Sequence, residues 1–130
     1  MKNQIRFDNE RGQAMTEFAL VLPVLALVLF AVIQFGIVFN NYVTLTDATR
    51  AGARKAAVAR RLTDPVGSCT QAVRSSATDL NGGSLNVSCS SSWQPGADVN
   101  VTATYPYSIS LLGIVVKSGR LSSTTTERVE

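Results

Sequence analysis

The strongest constraint on this chain is an uncharged apolar run, Phe18–Phe39, that reads FALVLPVLALVLFAVIQFGIVF. It is 22 residues long. As a helix it extends about 33 Å, enough to cross a hydrocarbon core of about 30 Å. A buried helix of a soluble protein is the competing reading, but a 130-residue chain has little protein to wrap around a helix apolar on every side. A cleaved secretory signal is the other. Its apolar region would be about 7–15 residues long with a small-residue cleavage site beyond it, and Asn40-Asn41-Tyr42 offers no such site. The segment is therefore expected to stay in the product as a membrane span.

Composition outside the run limits what else the chain can be. The apolar residues, 45% of the whole, concentrate in the run. The C-terminal remainder must fold around a small core, and small domains are marginal without a staple or partner. The chain has no histidine and two cysteines, Cys69 and Cys89. That excludes a His/Cys metal site and a histidine-based triad, and a gap of twenty positions fits neither a zinc nor a CxxC redox spacing. In an oxidising compartment the two would pair, and in a reducing one they would be buried thiols. A Cys69–Cys89 disulfide is expected, tying the start of a short helix to the first strand. Net charge is +3, and most of the basic residues fall in two places, Lys2, Arg6 and Arg11 and a second group from Arg50 to Arg61, without interleaved aromatics. That pattern carries no nucleic-acid footprint. No catalytic residues, metal or cofactor are expected, and an anchored enzyme is disfavoured.

The pattern along the chain gives four parts. Residues 1–12 are polar and charged. Residues 13–40 form the transmembrane helix, and residues 41–62 continue it outside the membrane. Residues 63–130 form a small C-terminal domain. In the continuation, Leu45, Ala48, Gly52, Ala56 and Ala59 share one helical face, while Asp47, Arg50, Arg54 and Arg61 share another. The small-residue stripe suits close packing, either against its own domain or against neighbouring helices. Thr63-Asp64-Pro65-Val66-Gly67 reads as a turn that ends the long helix, with a short helix over about Cys69–Leu80.

The period then changes to two. Leu85, Val87 and Cys89 alternate with polar residues, and after Gln94-Pro95-Gly96 so do Val99, Val101, Ala103 and Tyr105. Two antiparallel strands with one buried face are predicted, with a third, weaker strand over about Leu121–Val129. Between them, Ile109–Val116 is either a loop or extra strand packed on the helix, or an exposed partner-contact surface. Asn86-Val87-Ser88 and Asn100-Val101-Thr102 match glycosylation sequons in spelling only. The expected fold class is α+β: one long N-terminal helix, its first half transmembrane, packed by its second half on a small antiparallel sheet.

One motif precedes the run: Gly12-Gln13-Ala14-Met15-Thr16-Glu17-Phe18, a glycine and, five residues later, a lone glutamate, with a charged leader upstream. It resembles the prepilin signal of type IV pilins and pseudopilins. The stretch RGQAMTEFALVLPVLALVLFAVIQFGIVFNN resembles more specifically the TadE family of the tight-adherence pilus system, and the VTATYPY and LSSTTTERVE segments extend the likeness more loosely. The resemblance implies cleavage between Gly12 and Gln13 by a prepilin peptidase on the cytoplasmic face, with the helix retained. It also implies a register role for Glu17, whose carboxylate would meet the N-terminal amine of a neighbouring subunit. The implied partners are that peptidase, the inner-membrane assembly platform and other pilins. Two positions depart from ordinary type IV pilins. Gln13 stands where they carry Phe or Met after the cut, and Pro23 lies earlier than their kink prolines. The chain is also longer than the major pilin of that system, which points to the minor-pilin branch.

Pro23 cannot donate to the Ala19 carbonyl, so a bend or soft point is expected there. Gln34 and Gly36 suit interhelical contact in lipid. Basic residues flank the run on both sides, so charge alone does not orient it. The cysteines and the leader favour a cytoplasmic N-terminus and an extracytoplasmic C-terminal domain, single-pass in the inner membrane and extracellular when part of a pilus. The functional expectation is a structural minor pilin or pseudopilin that helps assemble or initiate an adhesive filament. The alternative is an uncleaved, membrane-anchored binding or adhesion module that never enters a filament.

Overall fold

A computed structural model of the chain describes residues 9–130, with side chains from Gly12 onward; most of the expected leader, including Lys2 and Arg6, lies outside the described residues. One helix, α1 (Asn9–Ala57), is followed by a short helix, α2 (Pro65–Ser76), and three strands, β1 (Asn86–Ser90), β2 (Asp98–Leu111) and β3 (Ile114–Arg128). The strands form one antiparallel sheet in the order β1-β2-β3. The architecture is α+β, with a long apolar N-terminal helix and a three-stranded sheet.

α1 runs for 49 residues, unbroken through Pro23, which is about 74 Å. Its two halves differ in burial. From Gly12 to Val43 no residue is buried, and most are exposed. From Leu45 onward one face disappears into the core: Leu45, Ala48, Thr49, Gly52, Ala53 and Ala56 are all buried. This is the small-residue stripe, and it packs on α2 and the sheet of its own chain. Asp47 and Arg50 sit on the opposite face 3.6 Å apart, both well exposed. Such a pair contributes little.

The long helix stops earlier than its composition suggests. It ends at Ala57 instead of near residue 62, and the next residues turn through Ala59 N–H to Ala56 O (3.0 Å) and Leu62 N–H to Ala59 O (2.9 Å). Ala59 is buried, but from this turn and not from the helix face. Arg61 is likewise in the turn. The stop has a tertiary cause: the amide of Glu130 donates to the Ala57 carbonyl at 3.0 Å, so the far end of the chain caps α1. The second helix also begins earlier than expected. Asp64 is its N-cap, accepting from the Gly67 amide at 2.8 Å, and Pro65 occupies the first turn. Pro costs nothing there because its missing N–H would be unbonded anyway. The segment read as a turn is thus partly the start of α2.

β1 and β2 pair as the alternation predicts, from Asn86 opposite Thr104 to Ser90 opposite Asn100. Val99, Val101, Ala103, Leu85 and Val129 join Val73, Ala77 and Leu80 in one core. The disulfide is present, Cys69 bonded to Cys89, and clamps α2 to β1.

β2 and β3 depart most from expectation. β2 does not end at Tyr105-Pro106-Tyr107 but continues to Leu111, and β3 starts at Ile114 instead of near Leu121. Pro106 is tolerated because β1 pairs only with Asn100–Thr104, leaving one edge of β2 free beyond it, where no amide is needed. Ile109–Val116 is therefore strand and turn and not a loop, half-buried over Ile109–Leu111 and exposed over Leu112–Val116. It forms the end of an exposed hairpin, with a register shift after Ile109 and a two-residue turn at Leu112-Gly113. Both turn residues have positive φ, 53° and 83°, the hairpin-favoured geometry, which Gly113 accepts freely and Leu112 does not.

Candidate functional site: the N-terminal segment of the long helix

The residues of the expected processing motif lie on the first turns of the helix, solvent-exposed. Gly12 and Gln13 are both helical. The Thr16 hydroxyl donates to the Gly12 carbonyl at 2.8 Å and approaches the Gln13 carbonyl at 2.9 Å. Nothing lies within 4 Å of where a Gly12 side chain would begin. The Gln13 side-chain amide donates to the Glu17 carboxylate at 3.1 Å. Position i and position i+4 face each other on a helix, so the structure brings Gln13 and Glu17 together on one face. Thr16 is the residue that reading the sequence missed. Its signal was its spacing, four residues after the glycine, from which a hydroxyl reaches back to a carbonyl.

The apolar run begins directly after Glu17. The helix is long and apolar enough to cross a membrane, and none of its most apolar 18-residue window is buried. Phe18, Leu20, Leu29, Val32 and Phe35 point outward in different directions with most of their surface open. A helix apolar all round and uncovered by its own protein requires lipid or other helices around it. Pro23 lies inside this stretch, six residues beyond Glu17, and Gln34 is half-buried along it. Gly36 has nothing within 4 Å of a would-be side chain, so within the chain its small size is unused. Cys69 and Cys89 are in the C-terminal domain, apart from all of these.

Gly52, by contrast, is used. A side-chain carbon there would collide with the Val73 methyl and sit 3.4 Å from the Cys69 carbonyl. Only glycine lets α1 and α2 approach so closely. Beside it Thr49, fully buried, shares hydroxyl contacts with Ser123 at 3.2 Å and Thr125 at 3.1 Å. These contacts hold the sheet on the helix. An open polar groove lined by Asp47, Arg50 and Arg54 of α1 and Thr125 and Glu127 of β3 lies outside this seam.

The class so defined is an α+β protein with, among the described residues, one helix of membrane-spanning length joined without a break to a small disulfide-clamped domain. Residues 12–54 match the family model described as TadE-like protein. That stretch, which starts at the motif glycine and ends within the packed half of α1, is similar to that family. The match does not extend to α2 or the sheet. Comparisons with curated proteins and with solved structures find no match.

Proposed function

We propose that this protein is a minor pilin or pseudopilin of a tight-adherence pilus system, held in the inner membrane by the first half of α1 and contributing to filament assembly or initiation. The observation that carries this reading is the family match over residues 12–54, which coincides with the uncovered helix and its glycine-to-glutamate motif. In this account residues 1–12 are the leader, a prepilin peptidase cuts between Gly12 and Gln13 on the cytoplasmic side, and the C-terminal domain lies outside. The assembly platform and other pilins are its partners, and it carries no catalytic activity of its own.

The chemistry of the first turns supports the assignment of roles. Cutting at Gly12 frees an α-amino group at Gln13, positively charged at neutral pH. Within one chain that amine would lie one helical turn from Glu17, whose carboxylate already accepts from the Gln13 side chain. In lipid the glutamate sits at the edge of the apolar run, within reach of water. Once helices pack together it would be buried, and a buried carboxylate without a partner costs several kcal/mol. A neighbour's amine would meet that need only when the two helices are in register. Pro23, unable to bond the Ala19 carbonyl, supplies a soft point for a helix that leaves lipid for a filament.

Glu17→Leu tests the register role. The variant is expected to insert and be cleaved like the wild type yet fail to support piliation, read by electron microscopy and sheared-pilin yield. Wild-type piliation by the variant would contradict the mechanism and reduce Glu17 to a membrane-edge charge. The competing reading, an uncleaved anchored binding module, predicts that residues 1–12 persist and that the protein never appears in sheared filaments.

A further inference from the structure

We infer that the β2–β3 hairpin is a second membrane contact, whose apolar tip seats in the surface of the same bilayer that holds α1. This inference rests on reading α1 as a membrane span. At the tip, Leu112, Ile114, Val115 and Val116 are 76%, 71%, 60% and 62% exposed, a cluster of large apolar side chains in water. Beyond Thr104 the sheet loses β1 and narrows to two strands. A two-stranded ribbon is marginal by itself in water, and this one has both edges free. Something of apolar character is needed over its end.

The direction of the hairpin identifies what that is. Thr49 contacts Ser123 and Thr125, Arg50 and Arg54 face Thr125 and Glu127, and Glu130 bonds Ala57. β3 therefore ascends alongside α1, and its beginning lies toward the apolar half. From Ser123 to Glu130 the chain covers about 23 Å, while the facing helix advances about 12 Å from Thr49 to Ala57. Roughly half of each strand residue's rise is thus directed along α1. Ten residues back, the tip at Gly113 falls about 17 Å toward the N-terminus, level with about Val38. That is the end of the charge-free run Phe18–Phe39.

The side chains behind the tip match a lipid surface in the same order. Lys117 and Arg120 come after the apolar cluster on β3, and Tyr107 lies on β2 opposite Gly119. Tyr107 covers Gly119, lying 3.0 Å from where a side chain there would begin. Apolar residues at the end, then cations and a tyrosine behind them, is the arrangement that suits acyl chains below anionic and polar headgroups. With α1 already spanning, the tip acts intramolecularly and fixes how the domain is tilted over the membrane. Extraction of the helix into a filament would require the tip to release.

The test uses the full chain carrying Trp93→Phe, so that a single new tryptophan reports, reconstituted in vesicles of phosphatidylethanolamine and phosphatidylglycerol with brominated acyl chains. In this background Phe30→Trp reports the helix and Leu112→Trp the hairpin tip. Both are expected to emit to the blue of a water-exposed indole and to lose much of their emission to brominated lipid. A Leu112→Trp tip that stays red-emitting and unquenched while Phe30→Trp is quenched overturns the inference alone, and tip quenching replaced by cross-linking between copies would assign the tip to a neighbouring subunit. If Phe30→Trp is itself unquenched, the membrane reading fails and takes this inference with it. A folded domain in each variant is checked by far-ultraviolet circular dichroism and by protease resistance of the C-terminal domain in the same vesicles.

Discussion

The two halves of α1 are one helix made to two specifications. From Phe18 to Phe39 its surface is large and apolar, with no residue buried; after Leu45 its inner face is small, and everything on it is buried. Gly36 and Gly52 condense the difference. The first has open space around it, and the second lies against Val73 and the Cys69 carbonyl. The apolar half leaves its contacts to be made by lipid or by other chains. The domain half is already committed to α2, the sheet and the chain's own last residue. No loop separates them, so any force that moves the domain is delivered directly to the apolar half.

The sharpest way to separate the halves is to remove the disulfide. Cys69→Ala with Cys89→Ala is expected to cost the C-terminal domain about 2–5 kcal/mol, because the bridge closes a separation of 20 residues in a domain with a small core. Denaturant unfolding in detergent, monitored by Trp93 fluorescence, would read the loss, and the helical circular dichroism of the membrane half should survive it. Loss of both signals together would mean that the halves fold as one unit. A smaller effect comes from the paired substitutions Gly52→Ala and Gly36→Ala. The first should destabilise the domain by about 1–3 kcal/mol by overpacking against Val73. The second should leave the same transition unmoved, and equal effects would erase the distinction between the halves. Smallest is Thr49→Val, about 1 kcal/mol, since it removes the hydroxyl that Ser123 and Thr125 share while keeping the volume. An unchanged midpoint would mean that those hydroxyls satisfy each other without it.

Period and punctuation made much of this fold legible. The run Phe18–Phe39, the stripe Leu45-Ala48-Gly52-Ala56 and the alternation Val99-Val101-Ala103 each carry a single strong signal, and each appears where its pattern puts it. The errors fall where the deciding contact is distant or the local signal has two meanings. The end of α1 at Ala57 depends on Glu130, 73 residues later in the sequence, which no local window contains. Asp64-Pro65 spells both a turn and a helix start, and the N-cap geometry decides. Pro106 reads as a strand breaker unless one knows that β1 is too short to need its amide. The hairpin was obscured by Leu112, a residue that seldom adopts positive φ. At the N-terminus the glycine-to-glutamate spacing was readable, and the Gln13–Glu17 contact is its consequence on a helix. The Thr16 bond to the Gly12 carbonyl was equally implied by spacing but masked by the more conspicuous charge beside it.

The central claim, a TadE-like helix processed at Gly12 and kept in the membrane, is tested most directly by N-terminal mass spectrometry of the protein taken from the membranes of a host with an active prepilin peptidase. The account predicts a mature chain that begins at Gln13 and retains the whole of Phe18–Phe39. A membrane-held chain that still carries residues 1–12 would contradict it.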